Sequence, residues 1–168
     1  MAVIPALVAG WTDWRWRRIP NWLTVPALLL GIGVNCAATG WTGAKESLLG
    51  AALGLGLLLP FVLIRSLGAG DWKLAGALGA FLGPSRMITV LLGTVLVAGL
   101  MAVVLIIWKK RVGQTLRNLA HIVAALFTLH LPGPKVSLDN PESSKIPFGV
   151  AMAVTVVLYA LGQVWHAV

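Results

Sequence analysis

The chain has 168 residues, 58% of them hydrophobic and only 11% charged, with a mean hydropathy of +0.90. Soluble domains carry about 45–50% apolar and about 25% charged residues, so water is excluded as the main solvent; at about 20 apolar residues per crossing, the length provides about six membrane spans and little else. A net charge of +8 and a pI ≈ 10.7 would suggest a nucleic-acid partner in a soluble protein, but the basic residues stand at the ends of apolar runs, which favours membrane topology and no nucleic acid.

In chain order the apolar segments are Ala2 to Thr12, Trp22 to Trp41, Ser47 to Ile64, Trp72 to Gly83, Met87 to Trp108, Leu119 to Leu131 and Ile146 to Trp165. They are continuous, whereas strands of a membrane barrel alternate apolar and polar residues. The expected fold class is therefore all-α, a polytopic helical bundle forming one membrane domain over residues 1–168. Leu119 to Leu131 is short, follows a basic stretch and carries His121, Thr128 and His130, which suits an interfacial helix and leaves about six spans. Ala2 to Thr12 and Trp72 to Gly83 are short for a hydrocarbon core of about 30 Å. Trp14 and Trp16 would extend the first of them into the interface, where tryptophan is favoured.

With that count, Asp13 to Asn21, Arg65 to Asp71 and Lys109 to Lys145 share one side of the membrane. Eleven of the thirteen Lys and Arg residues fall there, all except Lys45 and Arg86 once Lys73 is grouped with Asp71. The positive-inside rule makes that side cytoplasmic and puts both termini outside. Gly50 and Gly54, and Gly76, Gly79 and Gly83, form small faces that let membrane helices approach closely, and they are the expected place for a substrate groove. Pro60 is expected to kink its span. The single cysteine, Cys36, lies in an apolar stretch and reads as a small buried hydrophobe.

Of five acidic residues, Glu46, Asp139 and Glu142 lie in polar loops. Asp13 and Asp71 instead stand at span ends of equal depth, where a carboxylate is costly and marks a functional or paired group. Taken singly, Asp13 reads as an acid neutralised by Arg15, Arg17 or Arg18, and Asp71 as an acid favoured by a helix N-terminus. Taken together they point to chemistry, because Gly68 and Gly70 flank Ala69 just before Asp71 and allow a tight turn and close approach of an extended peptide. Lys73 lies two positions on, roughly opposite Asp71 on a helix, and suits the interface better than an ion pair with it. Two facing carboxyl groups share a proton, so that one takes a proton from water while the other polarises a carbonyl. No nucleophile triad, nucleotide loop or histidine ligand spacing competes; His121, His130 and His166 read as interfacial polar residues.

Three blocks recur in one order: Asp13 with Arg18-Ile19-Pro20-Asn21, then Gly68-Ala69-Gly70-Asp71-Trp72-Lys73-Leu74, then Ile146-Pro147-Phe148-Gly149. The chain thereby closely resembles the type IV prepilin peptidases, the GxGD membrane aspartic proteases. The resemblance implies removal of a short basic leader from prepilins or pseudopilins, just before their hydrophobic helix, at the cytoplasmic face of the inner membrane. It implies Asp13 and Asp71 as the catalytic pair, Gly68 and Gly70 as residues shaping the substrate approach, and Pro20, Asn21 and Pro147 as supports of the site. No metal and no cofactor are implied, and the partners are the substrate and membrane lipids. Longer members carry an amino-terminal region with paired cysteines and methylate the new pilin terminus. This chain resembles the compact, peptidase-only form of tight-adherence pilus systems, and methyltransferase activity is not expected. The competing expectation is a non-enzymatic membrane protein, either a transporter using the two acids as a proton relay or an inactive pilus-assembly scaffold.

Overall fold

The computed structural model describes residues 1–64, 66–108 and 147–167. Among these, the backbone forms helices α1 (Val3–Trp16), α2 (Asn21–Leu63), α3 (Ala69–Trp108) and α4 (Phe148–Ala167), and no strand. The expected interfacial segment Leu119 to Leu131 lies outside the described residues.

At 43 residues α2 would be about 65 Å long if straight, but it doubles back at Thr39 (φ −134°, ψ 17°) and Gly40 (φ 63°, ψ −141°). The fold-back is visible in its hydrogen bonds. The Ser47 hydroxyl donates to the Gly31 carbonyl at 3.4 Å across 16 residues, a separation of about 24 Å along a straight helix. Asn35 Nδ2 donates to Ser47 Oγ at 2.8 Å and onward to the Ala80 and Phe81 carbonyls at 2.9 and 3.3 Å. One amide thus ties both arms of α2 to α3. Helix α3 breaks in the same way at Gly83 (φ 72°, ψ 173°), a conformation open essentially to glycine alone. Pro84 then begins the second arm with its φ already set for a helix.

Among the described residues three helices are long and apolar enough to cross a membrane: Asn21–Leu63, Ala69–Trp108 and Phe148–Trp165. This differs from the expected count of about six, because two expected span boundaries are breaks inside α2 and α3 and because α1 has only 14 residues, about 21 Å. Helix α1 does run on through Trp14 to Trp16, lengthening the first apolar segment. Pro60 produces no break: it sits in the last turn of α2, and the Ile64 N–H donates to its carbonyl at 3.1 Å. Cys36, expected to be buried, is exposed, in keeping with a surface that is itself apolar.

The packing is that of a membrane protein, with small residues inside and large ones outside. Ala6, Ala9, Ala75, Ala77 and Ala80 are fully buried, while Leu96, Trp108 and Trp165 are 75%, 82% and 83% exposed. The main contact is α2 against α3. Gly50 meets Gly79 and Gly83 backbone to backbone, Gly54 meets Ala75 and Met87, and Gly76 meets Leu55. The glycine faces proposed as a substrate groove are consequently filled by each other. Helix α1 packs on α4, with Gly10 against Ala153, and α4 packs on the second arm of α3, with Thr155 against Gly93.

Candidate active site

Asp13 occupies the last turn of α1. That helix stops because Arg17 adopts a left-handed conformation (φ 52°, ψ 32°), its N–H returning to the Asp13 carbonyl at 2.9 Å. Pro20, extended at ψ 148°, caps the start of α2, and its carbonyl accepts from Leu23 and Thr24 at 3.1 and 3.4 Å. Asp71 lies in the first turn of α3, where the Trp72 N–H donates to the Gly68 carbonyl at 3.2 Å. Pro147 does for α4 what Pro20 does for α2: its carbonyl accepts from Val150 and Ala151 at 3.1 and 3.3 Å, which aims the first amides of α4 outward.

The last turn of α1 and the first turns of α3 and α4 converge. The start of α4 lies against the Asp13 carboxyl, with Gly149 packed on Asp13 Cβ and Oδ2. The Asp71 carboxyl lies beside Gly68 and within electrostatic reach of Asp13. The Arg17 guanidinium acts on Asp13 from the side. Asp13 is 7% exposed. Its Oδ2 and Asp71 Oδ1 are buried and have no hydrogen-bond partner among the described residues, an arrangement that costs stability and is characteristic of reactive groups.

Close packing holds the arrangement. A Cβ at Gly149 would lie 2.9 Å from Ile19 Cδ1 and 3.0 Å from Asp13 Oδ2, and one at Gly70 would lie 3.1 Å from Ile19 Cβ. A Cβ at Gly68 would lie 3.0 Å from Asp71 Oδ2. Both glycines of the Gly68-Ala69-Gly70 run are thus places where a side chain has no room, Gly68 beside the acid itself and Gly70 against the linker that follows Asp13. Asn21 accepts a hydrogen bond from Lys73 Nζ at 2.9 Å, so Lys73, expected to reach only for the interface, has a protein partner.

The candidate site residues Asp13, Pro20, Asn21, Gly68, Gly70, Asp71 and Pro147 all lie at these helix ends. Sequence reasoning gave no role to Ile19, which wedges between Gly70 and Gly149, or to Gly149, which lies against Asp13. Ile19 and Gly149 stood inside the recognised blocks, and a proline opening an apolar run was the available sign of a helix N-terminus. Between the end of α1, the second arm of α3 and Pro147, an apolar cavity of ≈ 590 Å³ is lined by Trp14, Arg17, Leu100, Met101, Val104, Leu105, Trp108 and Pro147. Among the described residues no group of three or more His, Cys, Asp or Glu side chains is placed to hold a metal ion.

No curated protein and no solved structure matches this chain. A family model does, that of the type IV leader peptidases, over residues 1–106. The matched stretch contains Asp13, Pro20, Asn21, Gly68, Gly70 and Asp71 but not the start of α4 with Pro147 and Gly149. It takes in more than half of the sequence, and the chain accordingly belongs to the type IV leader peptidase family, a helical membrane protein of a peptidase class.

Proposed function

We propose that the protein is an intramembrane aspartic endopeptidase that removes the short basic leader of prepilins or pseudopilins, with Asp13 and Asp71 as its catalytic pair. The observation that carries this reading is that Ile19, in the linker just after Asp13, packs on Gly70, the residue before Asp71, and on Gly149, which itself lies against Asp13, so that two acids far apart in sequence come to one place. The ionised member takes a proton from a water molecule, and the oxygen of that water attacks the scissile carbonyl carbon. The protonated member donates to the carbonyl oxygen, and collapse of the tetrahedral species breaks the C–N bond as the leaving amine takes up a proton. Gly68 and Gly70 shape the approach to the pair, Gly68 beside the Asp71 carboxyl and Gly70 by seating Ile19, while Pro20, Asn21 and Pro147 hold the helix ends that present the acids.

The two fold-backs support a topology of short spans joined by tight turns. Each arm of α2 and of α3 crosses separately, which with α1 and α4 makes about six crossings. The pair then lies on the side that holds eleven of the thirteen basic residues, the cytoplasmic face of the inner membrane, and both termini lie outside. An apolar cavity at the end of the Asp13 helix, lined there by Trp14 and Arg17, supports a substrate that is itself a hydrophobic helix. The family match favours peptidase over transporter.

Co-expression with a candidate prepilin tests the proposal, the product being sized by immunoblot. Asp13→Asn and Asp71→Asn should each insert and accumulate normally yet leave the precursor uncut. Normal processing by either variant sinks the pair assignment.

A further inference from the structure

Asp71 belongs to a turn whose next two residues reach away in different directions. Trp72 Nε1 donates to the Leu55 carbonyl at 2.7 Å, on the second arm of α2. Lys73 Nζ donates to Asn21 Oδ1 at 2.9 Å, across 52 residues, at the first residue of α2. Asn21 closes the short linker that leaves the Asp13 helix at Arg17. The Lys73–Asn21 bond therefore joins the linker after one acid to the turn that carries the other. Close packing repeats the join at Gly70, against which Ile19 of the same linker sits.

We propose that Lys73 and Asn21 are positioning residues, a latch that sets the separation of the Asp13 and Asp71 carboxyl groups; this rests on the reading of those two acids as the catalytic pair. The chemistry of the two side chains suits the task. Residues two apart on a helix point away from each other, so Lys73 pulls on the turn without neutralising Asp71. A carboxylate at residue 21 would hold the ammonium more strongly but add a third negative charge beside the pair. The neutral amide of Asn21 accepts the charged donor and leaves the proton balance of the two acids alone. The bond is exposed, where water replaces a lost partner at little cost. Its effect is accordingly on placement and not on whether the chain folds.

The test uses the full-length protein in detergent with a purified prepilin, measuring kcat and KM separately. Misplacement of a reacting group by about 1 Å costs up to about a hundredfold in rate, so for a smaller relaxation Lys73→Met and Asn21→Leu should each lower kcat roughly tenfold, with KM changed less than about twofold. Because the two act through one bond, the double variant should be no slower than either single one. Lys73→Arg, which keeps a charged donor, should recover most of the rate, and thermal midpoints should stay at the wild-type value. Unchanged kcat in both single variants, multiplied losses in the double variant, or a loss confined to KM each overturns the latch. Asp13→Asn and Asp71→Asn run in parallel: their inactivity beside fully active Lys73→Met condemns the latch alone, whereas their activity removes the pair on which it rests.

Discussion

Gly149→Ala puts a single methyl group against Asp13 and Ile19. Its Cβ would lie 2.9 Å from Ile19 Cδ1, 3.0 Å from Asp13 Oδ2 and 3.1 Å from Asp13 Cβ, against about 3.5–4.0 Å for an unstrained carbon contact. Ile19 Cδ1 is the free end of a side chain and can swing aside. Asp13 Cβ is fixed to α1, which is packed on α4 through Gly10 and Ala153, so relief has to come from moving one helix end by roughly half an ångström. Overpacking of this kind costs about 1–3 kcal/mol of stability. The larger effect is on rate: half of the 1 Å displacement that costs about a hundredfold corresponds to a fall in kcat of roughly tenfold. The assay is prepilin cleavage by the detergent-solubilised protein. Gly162→Ala on the same helix, where an added Cβ meets nothing within 4 Å, should cleave at the wild-type rate. A Gly149→Ala protein that is folded and as fast as wild type would refute the claim that the start of α4 closes on Asp13.

Three further substitutions probe the frame. Gly83→Ala leaves only an ordinary contact with Glu46, at 3.4 Å; its cost is the φ of +72° alone, about 1–3 kcal/mol, read as a lower thermal midpoint in detergent. Gly50→Val drives a branched side chain into the backbone at Gly79 and Gly83 and should leave little folded protein in the membrane, measured by fluorescence size-exclusion, whereas Gly56→Val, where an added Cβ meets nothing within 4 Å, should not. Asn35→Leu removes the donor to Ser47, Ala80 and Phe81 and should cost about 1–2 kcal/mol, the range of hydrogen bonds between membrane helices, again read by thermal unfolding, while cleavage of the folded fraction stays normal because the clasp is remote from Asp13.

Much of this was legible from residues alone. A carboxylate next to an apolar run has few structural reasons to exist, and two of them at matching depth flagged the site before any coordinates. The helical class followed from unbroken apolar runs. What sequence could not supply was the account of the glycines. Gly50, Gly54, Gly76 and Gly79 pack against Gly79, Ala75, Leu55 and Gly50, so a pattern that permits close approach was filled by another helix and not by substrate. The apolar runs ending at Trp41 and Gly83 stop beside both breaks, but that the helix resumes there with no loop between the arms is read only from dihedral angles and from bonds such as Ser47 to Gly31. Gly149 escaped because its contribution is the lack of a side chain beside Asp13, and sequence does not show which neighbour a glycine admits.

The three helix ends at the site differ in what they contribute, and the difference explains why the acids are so far apart in sequence. Had both carboxyl groups come from one helix, their separation would be set by helical geometry and held to a few fixed values by the 3.6-residue repeat. Drawn from the last turn of α1 and the first turn of α3, their separation is instead set by tertiary contacts: Ile19 against Gly70, Lys73 against Asn21, and Gly149 against Asp13. Such contacts are adjustable by small steps, and they place the pair at the ends of helices, with an apolar cavity at the end of α1. A hydrophobic helix arriving through the lipid would meet the acids there without unpacking α2 from α3, whose contact at Gly50 and Gly79 is backbone against backbone. The part of the molecule that holds the fold together is therefore separate from the part that has to admit a substrate.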